Sequence, residues 1–324
     1  MKRRLTLALA AMFATGAGLS TLPAAAQQFP SKPITLVVPF GPGSGTDQQA
    51  RLVGQLLGDE LKVPVVVDNR AGASGFLAAQ YVSKAAPDGY TMLITTNTTH
   101  AANEHLFKKI PYDPVKGFTP VSSLSNGQML LLVRPDSPYK SLDDLLAAAR
   151  KAPGKLNFGS GSSSSRVASE LLKQMAHIDA VHVPYKSNPL SITDLLGGQI
   201  DFMFADSSTA LPQVQSGKLR ALAASGAKRL AAAPDVPTVA EAGVKGYVMT
   251  YWTAAYLPPG TPAPIVSQLN HALGKIMASS ASKAFQEKTS GEVFVSTPDG
   301  LAKFQAEESK KWGEVIRAAG IQPE

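Results

Sequence analysis

The chain has 324 residues, a formal net charge of +7 and no cysteine. The lack of cysteine excludes disulfides, thiolate nucleophiles and cysteine-based metal sites. The lysine and arginine residues are dispersed, so the positive charge does not favour nucleic acid as a partner, although it would help to attract a small anion.

The N-terminal segment predicts a secretory signal peptide over residues 1–26. Residues 2–4 are basic, residues 5–19 are apolar but too short to span a bilayer comfortably, and small residues precede a cleavage site near Ala26. The mature chain is therefore expected to begin at Gln27 and to be periplasmic. An uncleaved membrane anchor is the alternative.

Short apolar runs then alternate with amphipathic helical patterns, which predicts an α/β fold. The first unit has predicted strands at 34–38, 63–67 and 91–95 and predicted helices at 47–61 and 75–84. Residues 110–126 are predicted to be rich in loops. The second unit has predicted strands at 129–133, 156–158, 180–183, 200–204 and 219–224 and predicted helices at 141–151, 165–177, 189–196 and 209–216. The chain ends with a predicted strand at 247–257 and predicted helices at 264–277 and 298–319.

Two strands, near Met129 and Tyr251, are predicted to connect the two units. Two connections between α/β lobes make a hinge with a cleft between them, and helix N-termini would face that cleft. The predicted lobes are residues 27–126 with 251–324, and residues 127–250.

The first candidate site is a glycine loop, GPGSGTD, that runs from Gly41 to Asp47. It follows a strand and opens a helix, so its free backbone N–H groups and the positive end of the helix dipole favour a small anion. A tight turn without a ligand is the alternative. Asp47 is interpreted as a helix cap or loop brace more readily than as a base.

The second candidate site is the serine-rich stretch from Ser160 to Arg166, where hydroxyl groups add to the donors of a helix start. Arg166 lies in the first helical turn, where a cation opposes the dipole. A bond to a carboxylate would outweigh that cost, and a surface pair with Glu170 is an equal alternative. Tyr185 and Asp206 are each open to two interpretations, a ligand contact or a core or capping residue.

Signals for catalysis are absent from the sequence. There is no Gly-x-Ser-x-Gly elbow, no P-loop lysine, no complete dinucleotide fingerprint and no histidine pair at zinc spacing. The sequence therefore predicts no catalytic residue, no cofactor and no metal site. A secreted serine hydrolase that uses residues 160–165, and a ligand-sensing domain that docks on a signalling partner, remain as alternatives.

Several stretches carry a family resemblance through their order and spacing. They read VPFGPGSGTD at 38–47, VVVDNRAGASGFLAA at 65–79, APDGYTML at 86–93, IPYDPVKGFTPV at 110–121, DLLGGQIDFMFAD at 194–206 and YLPPGTP at 256–262. The chain resembles the periplasmic solute-binding proteins of tripartite tricarboxylate transporters, also called the Bug family. The resemblance implies a two-lobed periplasmic binding fold, not an enzyme, that captures a small carboxylate for integral-membrane permease subunits. A monomer is expected.

The resemblance also implies the residues that bind the ligand. They are Phe40, Gly41, Gly43, Ser44, Thr46 and Asp47 in the first loop, Thr96 and Asn97 after the third strand, and Ser160, Gly161, Ser162, Tyr185 and Asp206 in the second lobe. Arg166 stands where the family commonly has histidine. We hypothesise that Arg166 binds a second carboxylate, so that the ligand is a dicarboxylate and could be aromatic, such as terephthalate or phthalate.

Overall fold

The computed structural model describes residues 29–324, and the predicted signal peptide lies outside them. Strands and helices alternate along the chain, which confirms the predicted α/β class. The strands are β1 (Ile34–Val38), β2 (Val65–Asn69), β3 (Thr91–Thr96), β4 (Thr119–Val133), β5 (Asn157–Ser160), β6 (Val181–Pro184), β7 (Phe202–Asp206), β8 (Arg220–Ala224), β9 (Thr250–Leu257) and β10 (Glu292–Val293). The helices are α1 (Gly45–Leu61), α2 (Phe76–Ser83), α3 (Asn103–Leu106), α4 (Leu142–Lys151), α5 (Ser163–Ala176), α6 (Asn188–Leu196), α7 (Ser207–Gln215), α8 (Ala263–Met277), α9 (Ser280–Thr289) and α10 (Pro298–Ala318).

The strands form a mixed sheet in the order β2-β1-β3-β9-β4-β7-β5-β6, and β8 and β10 also pair with β4. β1 runs parallel to β2 and β3, and β5 runs parallel to β6 and β7, as helical crossovers require. β9 and β4 are antiparallel to their neighbours. The carboxyl ends of the parallel strands lead into α1, α5, α6 and α7, and these helix starts carry the candidate site.

Strand β4 connects two parts of the sheet: one contains β9 with β1, β2 and β3, and the other contains β7 with β5 and β6. Its first ten residues, 119–128, pair with β9, and residues 129–133 pair with β7 and β8. The expectation of loop-rich structure up to residue 126 is therefore wrong for the second half of that segment. The polar residues of this segment do not show the apolar pattern that predicts a strand. In the fold they form hydrogen bonds with neighbouring strands: the Ser125 hydroxyl, for example, lies 2.8 Å from the Thr253 hydroxyl.

The buried core is continuous across the sheet. Its largest cluster contains residues from both parts, such as Leu93 of β3 and Phe204 of β7, and it includes Trp312 of α10. Two smaller clusters lie on the opposite faces, one around α1 and α8 and one around α6 and α7. The assignment of residues 127–250 to a separate lobe remains a prediction. Within residues 29–324, no helix combines the length and apolar character needed to cross a membrane.

Candidate functional site

The starts of four helices surround one small cavity of about 40 Å³. α1, α5 and α6 contribute their first turns or capping residues, and α7 contributes its N-cap, so the positive ends of four helix dipoles face the same space. The lining residues are Phe40, Ser44, Gly45, Thr46, Thr96, Met129, Gly161, Ser162, Ser164, Asn188, Asp206 and Tyr251. The convergent backbone donors are typical of a small-anion site.

The glycine loop is held in shape by Asp47. Its carboxylate accepts hydrogen bonds from the Gly43 amide at 2.8 Å, from Asn69 Nδ2 at 2.9 Å and from Arg51 Nε at 3.0 Å. Burial alone would raise the pKa of Asp47, but these hydrogen bonds and the Arg51 charge outweigh it and lower the pKa. Gly43 has a φ of 81°, a conformation that favours glycine. Asp47 is thus a loop brace, one of the two roles expected for it.

The first two amides of α1 are available to a ligand. Among residues 29–324, no acceptor pairs with the N–H groups of Gly45 and Thr46, whereas the Asp47 amide is capped by Ser44. A Cβ at Gly45 would lie 2.5 Å from both Asp206 Oδ2 and Ser208 Oγ. Only glycine therefore lets the start of α1 approach the start of α7 so closely.

The serine-rich stretch starts α5 and joins the two sides of the cavity. Ser162 caps the helix in a reciprocal capping box with Ser165. Ser164 Oγ accepts a hydrogen bond from Asn97 Nδ2 at 2.9 Å, which connects α5 to the residue after β3. A Cβ at Gly161 would overlap the backbone at the start of α6. The Ser164 hydroxyl therefore links the start of α5 to the segment after β3 at the edge of the cavity.

Asp206 caps α7. Its carboxylate accepts hydrogen bonds from Asn188 Nδ2 at 2.6 Å, from Ser208 Oγ at 2.7 Å and from both the amide and the hydroxyl of Thr209. Both carboxylate oxygens of Asp206 therefore already accept hydrogen bonds. These bonds reduce the repulsion between the Asp206 charge and an anion in the cavity. Burial and the Asp206 charge raise the pKa of Tyr251, so its phenol stays protonated and can donate a hydrogen bond into the cavity.

A second cavity of about 340 Å³ adjoins the first and shares Phe40, Gly161 and Ser162 with it. Its other lining residues are Gly72, Ala73, Ser74, Gly75, Phe107, Ser160, Ser163, Arg166, His182, Pro184, Tyr185, Lys186 and Glu324. Arg166 Nη2 lies 2.5 Å from Glu324 Oε1. The alternative of a pair with Glu170 is wrong, because Glu170 pairs with Lys173 at 3.0 Å.

Two further side chains in the second cavity have internal partners. The Tyr185 hydroxyl donates to Asp194 Oδ2 at 2.8 Å, and burial together with this carboxylate raises the pKa of Tyr185 to about 12. His182 Nε2 lies 2.7 Å from Ser160 Oγ. Burial, with the Arg166 charge, lowers the pKa of His182 to about 4, so it is neutral at pH 7. In the described residues no hydrogen-bond partner orients His182 Nδ1, so a complete triad is missing here.

The structure divides the predicted site residues into three groups. The first cavity is lined by Phe40, Ser44, Thr46, Thr96, Gly161, Ser162 and Asp206. The second is lined by Phe40, Ser160, Gly161, Ser162, Arg166 and Tyr185. Gly41, Gly43, Asp47 and Asn97 line neither cavity. The first cavity is also lined by Asn188 of α6 and Tyr251 of β9, which no local sequence pattern distinguishes from packing residues. In residues 29–324 no group of three potential metal-binding side chains occurs.

Comparison with known proteins adds to this geometry. A family model described as "Tripartite tricarboxylate transporter family receptor" matches residues 49–321. The solved periplasmic binding protein BugD is similar at 28% identity and a TM-score of 0.88, over 91% of this chain and 100% of that one. Rpa4515 from R. palustris, solved with adipate, is 34% identical with a TM-score of 0.88 over the same shares. MatC from Rhodopseudomonas palustris, solved with bound malate, is 34% identical with a TM-score of 0.84, over 89% of this chain and 100% of that one.

Proposed function

We propose a ligand for a receptor whose class is known: this chain belongs to the tripartite tricarboxylate transporter receptor family, whose members are periplasmic solute-binding proteins and not enzymes. The ligand proposed is a dicarboxylate. One carboxylate binds in the first cavity and the other reaches Arg166 in the second. The observation that carries the proposal is the convergence of four helix starts on the first cavity.

The first carboxylate is bound mainly by backbone groups. The N–H groups of Gly45 and Thr46 at the start of α1 have no acceptor in residues 29–324, and the Tyr251 phenol adds a neutral donor. A carboxylate that accepts charge-assisted hydrogen bonds from such groups gains about 1.5–3 kcal/mol from each. Backbone N–H groups bind one carboxylate much as they bind another, so this cradle explains why a carboxylate binds but does not select which one.

The second carboxylate is selected by Arg166. The two cavities share Phe40, Gly161 and Ser162, which supports a ligand that extends past these residues from one cavity into the other. Adipate and malate, the ligands in the names of two similar structures, are both dicarboxylates. The aromatic side chains of Phe40 and Phe107 line the second cavity and would also accept the ring of terephthalate.

The remaining parts of the proposal concern the cellular context. We propose that residues 1–26 are removed on export, that the protein acts as a monomer, and that its liganded form is recognised by integral-membrane permease subunits. Ligand binding would shift the population of the receptor toward a closed form, which the permease distinguishes from the open one. A ligand-sensing role would use the same cleft and the same ligand.

Calorimetric titration with chain-length-matched acids tests the ligand class. Adipate is compared with hexanoate, and terephthalate with benzoate, so that each pair differs only in the second carboxylate. We expect each diacid that fits to bind at least about tenfold more tightly than its monoacid partner, because it gains the bond to Arg166. Arg166→Gln should remove most of this preference, whereas Arg150→Gln, a remote arginine that bonds the Ala176 carbonyl, should retain it. Equal binding of diacids and monoacids would contradict the proposal.

A further inference from the structure

The ion pair between Arg166 and Glu324 is asymmetric. The Arg166 side chain is only 17% exposed, whereas the Glu324 side chain is 57% exposed. If the pair separates, the glutamate returns to water at little cost, but the guanidinium is left largely desolvated without a counter-charge. Arg166 therefore requires an anionic partner, and Glu324 is a partner that can leave.

The pairing also uses only part of the guanidinium. Glu324 contacts Nη2, while Nε of Arg166 is buried and, within residues 29–324, has no acceptor. An arginine fork binds a carboxylate best through two parallel N–H bonds. Because only Nη2 is paired, a carboxylate that also reached Nε would be bound more strongly than Glu324 is.

The backbone of Glu324 is fixed, whereas its side chain is more than half exposed. Its amide donates to the Leu106 carbonyl at 3.0 Å, and its own carbonyl accepts from the Lys108 amide at 2.8 Å. Nearby, Ile321 is buried in the largest core cluster. This anchoring keeps the Glu324 carboxylate at the wall of the second cavity at a high effective concentration. The side chain can still rotate toward solvent once its pair with Arg166 breaks.

We propose that Glu324 is an internal substitute for the second carboxylate of the ligand: it occupies Arg166 when the second cavity is empty, and a dicarboxylate displaces it on binding. The inference rests on the proposed function. It gives Glu324 a role in specificity, because a monocarboxylate or a neutral tail offers Arg166 nothing in exchange. A ligand whose second carboxylate reaches both Nε and Nη2 of Arg166 replaces the ion pair with Glu324 by a stronger one.

The substitution Glu324→Gln tests the displacement, with Glu314→Gln as the matched control. Glu314 is exposed on α10, so its loss changes the net charge equally without touching Arg166. We expect Glu324→Gln to bind adipate or terephthalate about three- to tenfold more tightly than the wild type, since no ion pair has to be broken. Hexanoate and benzoate affinities should stay within about twofold.

Chemical modification gives a second measurement that does not depend on the ligand. Phenylglyoxal modification of Arg166, followed by peptide mass spectrometry with Arg150 as internal reference, should be faster in Glu324→Gln than in the wild type. Diacid affinity that is unchanged or weaker in Glu324→Gln would overturn the inference and make Glu324 a structural brace. Failure of the wild type to bind any of the acids would instead refute the proposed function, so the two failures are distinguishable.

Discussion

Replacing Asp47 by asparagine would remove the charge that braces the glycine loop and keep the shape of the side chain. Asp47 is 2% exposed and accepts hydrogen bonds from Gly43, Arg51 and Asn69. An asparagine turns its amide nitrogen toward one of these donors, and a buried donor without an acceptor costs about 1–3 kcal/mol. The lost pair with Arg51, which is 55% exposed, adds at most about 1 kcal/mol. We therefore expect the free energy of unfolding to fall by about 1–4 kcal/mol.

Urea unfolding at pH 7 measures this loss. Asp59→Asn, at an exposed position on the same helix, serves as the control and should stay within about 0.5 kcal/mol of the wild type. Diacid affinity should also fall in Asp47→Asn, since the brace orients the amides of the loop. A change in the free energy of unfolding below about 0.5 kcal/mol would refute the interpretation of Asp47 as a brace.

The pH dependence follows from the direction of the pKa shift. The pKa of Asp47 lies below its ordinary value of 3.8 in the folded protein, so the unfolded chain binds the proton first as the pH falls. The stabilisation is complete above the unfolded pKa and is lost as the pH falls through the folded pKa. The stability difference between wild type and Asp47→Asn should therefore be constant from pH 7 down to about pH 5 and shrink below about pH 4.

Three further predictions concern the cavities. Gly161→Ala should weaken diacid binding by at least about tenfold in calorimetry, because its Cβ would overlap the backbone at the start of α6; Gly274→Ala, where a Cβ meets open space, should bind normally. Ser164→Ala leaves the buried Asn97 amide without its acceptor, and urea unfolding should show a loss of about 1–2 kcal/mol; an unchanged midpoint would contradict this. His182 should titrate near pH 4 in an NMR titration. Because that pKa is below the unfolded value, its contribution to stability should decline as the pH falls from about 6.5 to 4, and a titration near 6.5 would refute the burial argument.

The parts of the site that the sequence predicted are those governed by local chemistry. The glycines and Asp47 lie within a few residues of the helix that they start, and the serines from Ser160 onward combine capping hydroxyls with a strand end. Such signals depend on backbone groups of the same segment, so they can be read without knowledge of the fold.

The unpredicted parts depend on contacts between distant segments. The sequence predicts a ligand carboxylate or Glu170 as the partner of Arg166. In the structure the partner is Glu324, which is far away in the sequence and is positioned by the packing of α10 and the residues that follow it. Asn188 and Tyr251 reach the first cavity only after β9 and α6 have packed beside β4 and β7. Helix α9 is likewise not predicted from the sequence, because it is the most polar of the longer helices and offers few apolar residues that would indicate a buried face.

The change of pairing along β4 has a mechanical consequence. Up to Gln128 its ladder partner is β9, and from Met129 onward its partners are β7 and β8. A small twist of β4 between Gln128 and Met129 would rotate its hydrogen-bonded ladder with β9 relative to its ladders with β7 and β8. No hydrogen bond within either ladder would have to break. Opening and closing would then require buried contacts such as Asn97 with Ser164 to be exchanged for water. The preferred twist of β4 would then set how much of the free energy of ligand binding is used for closure.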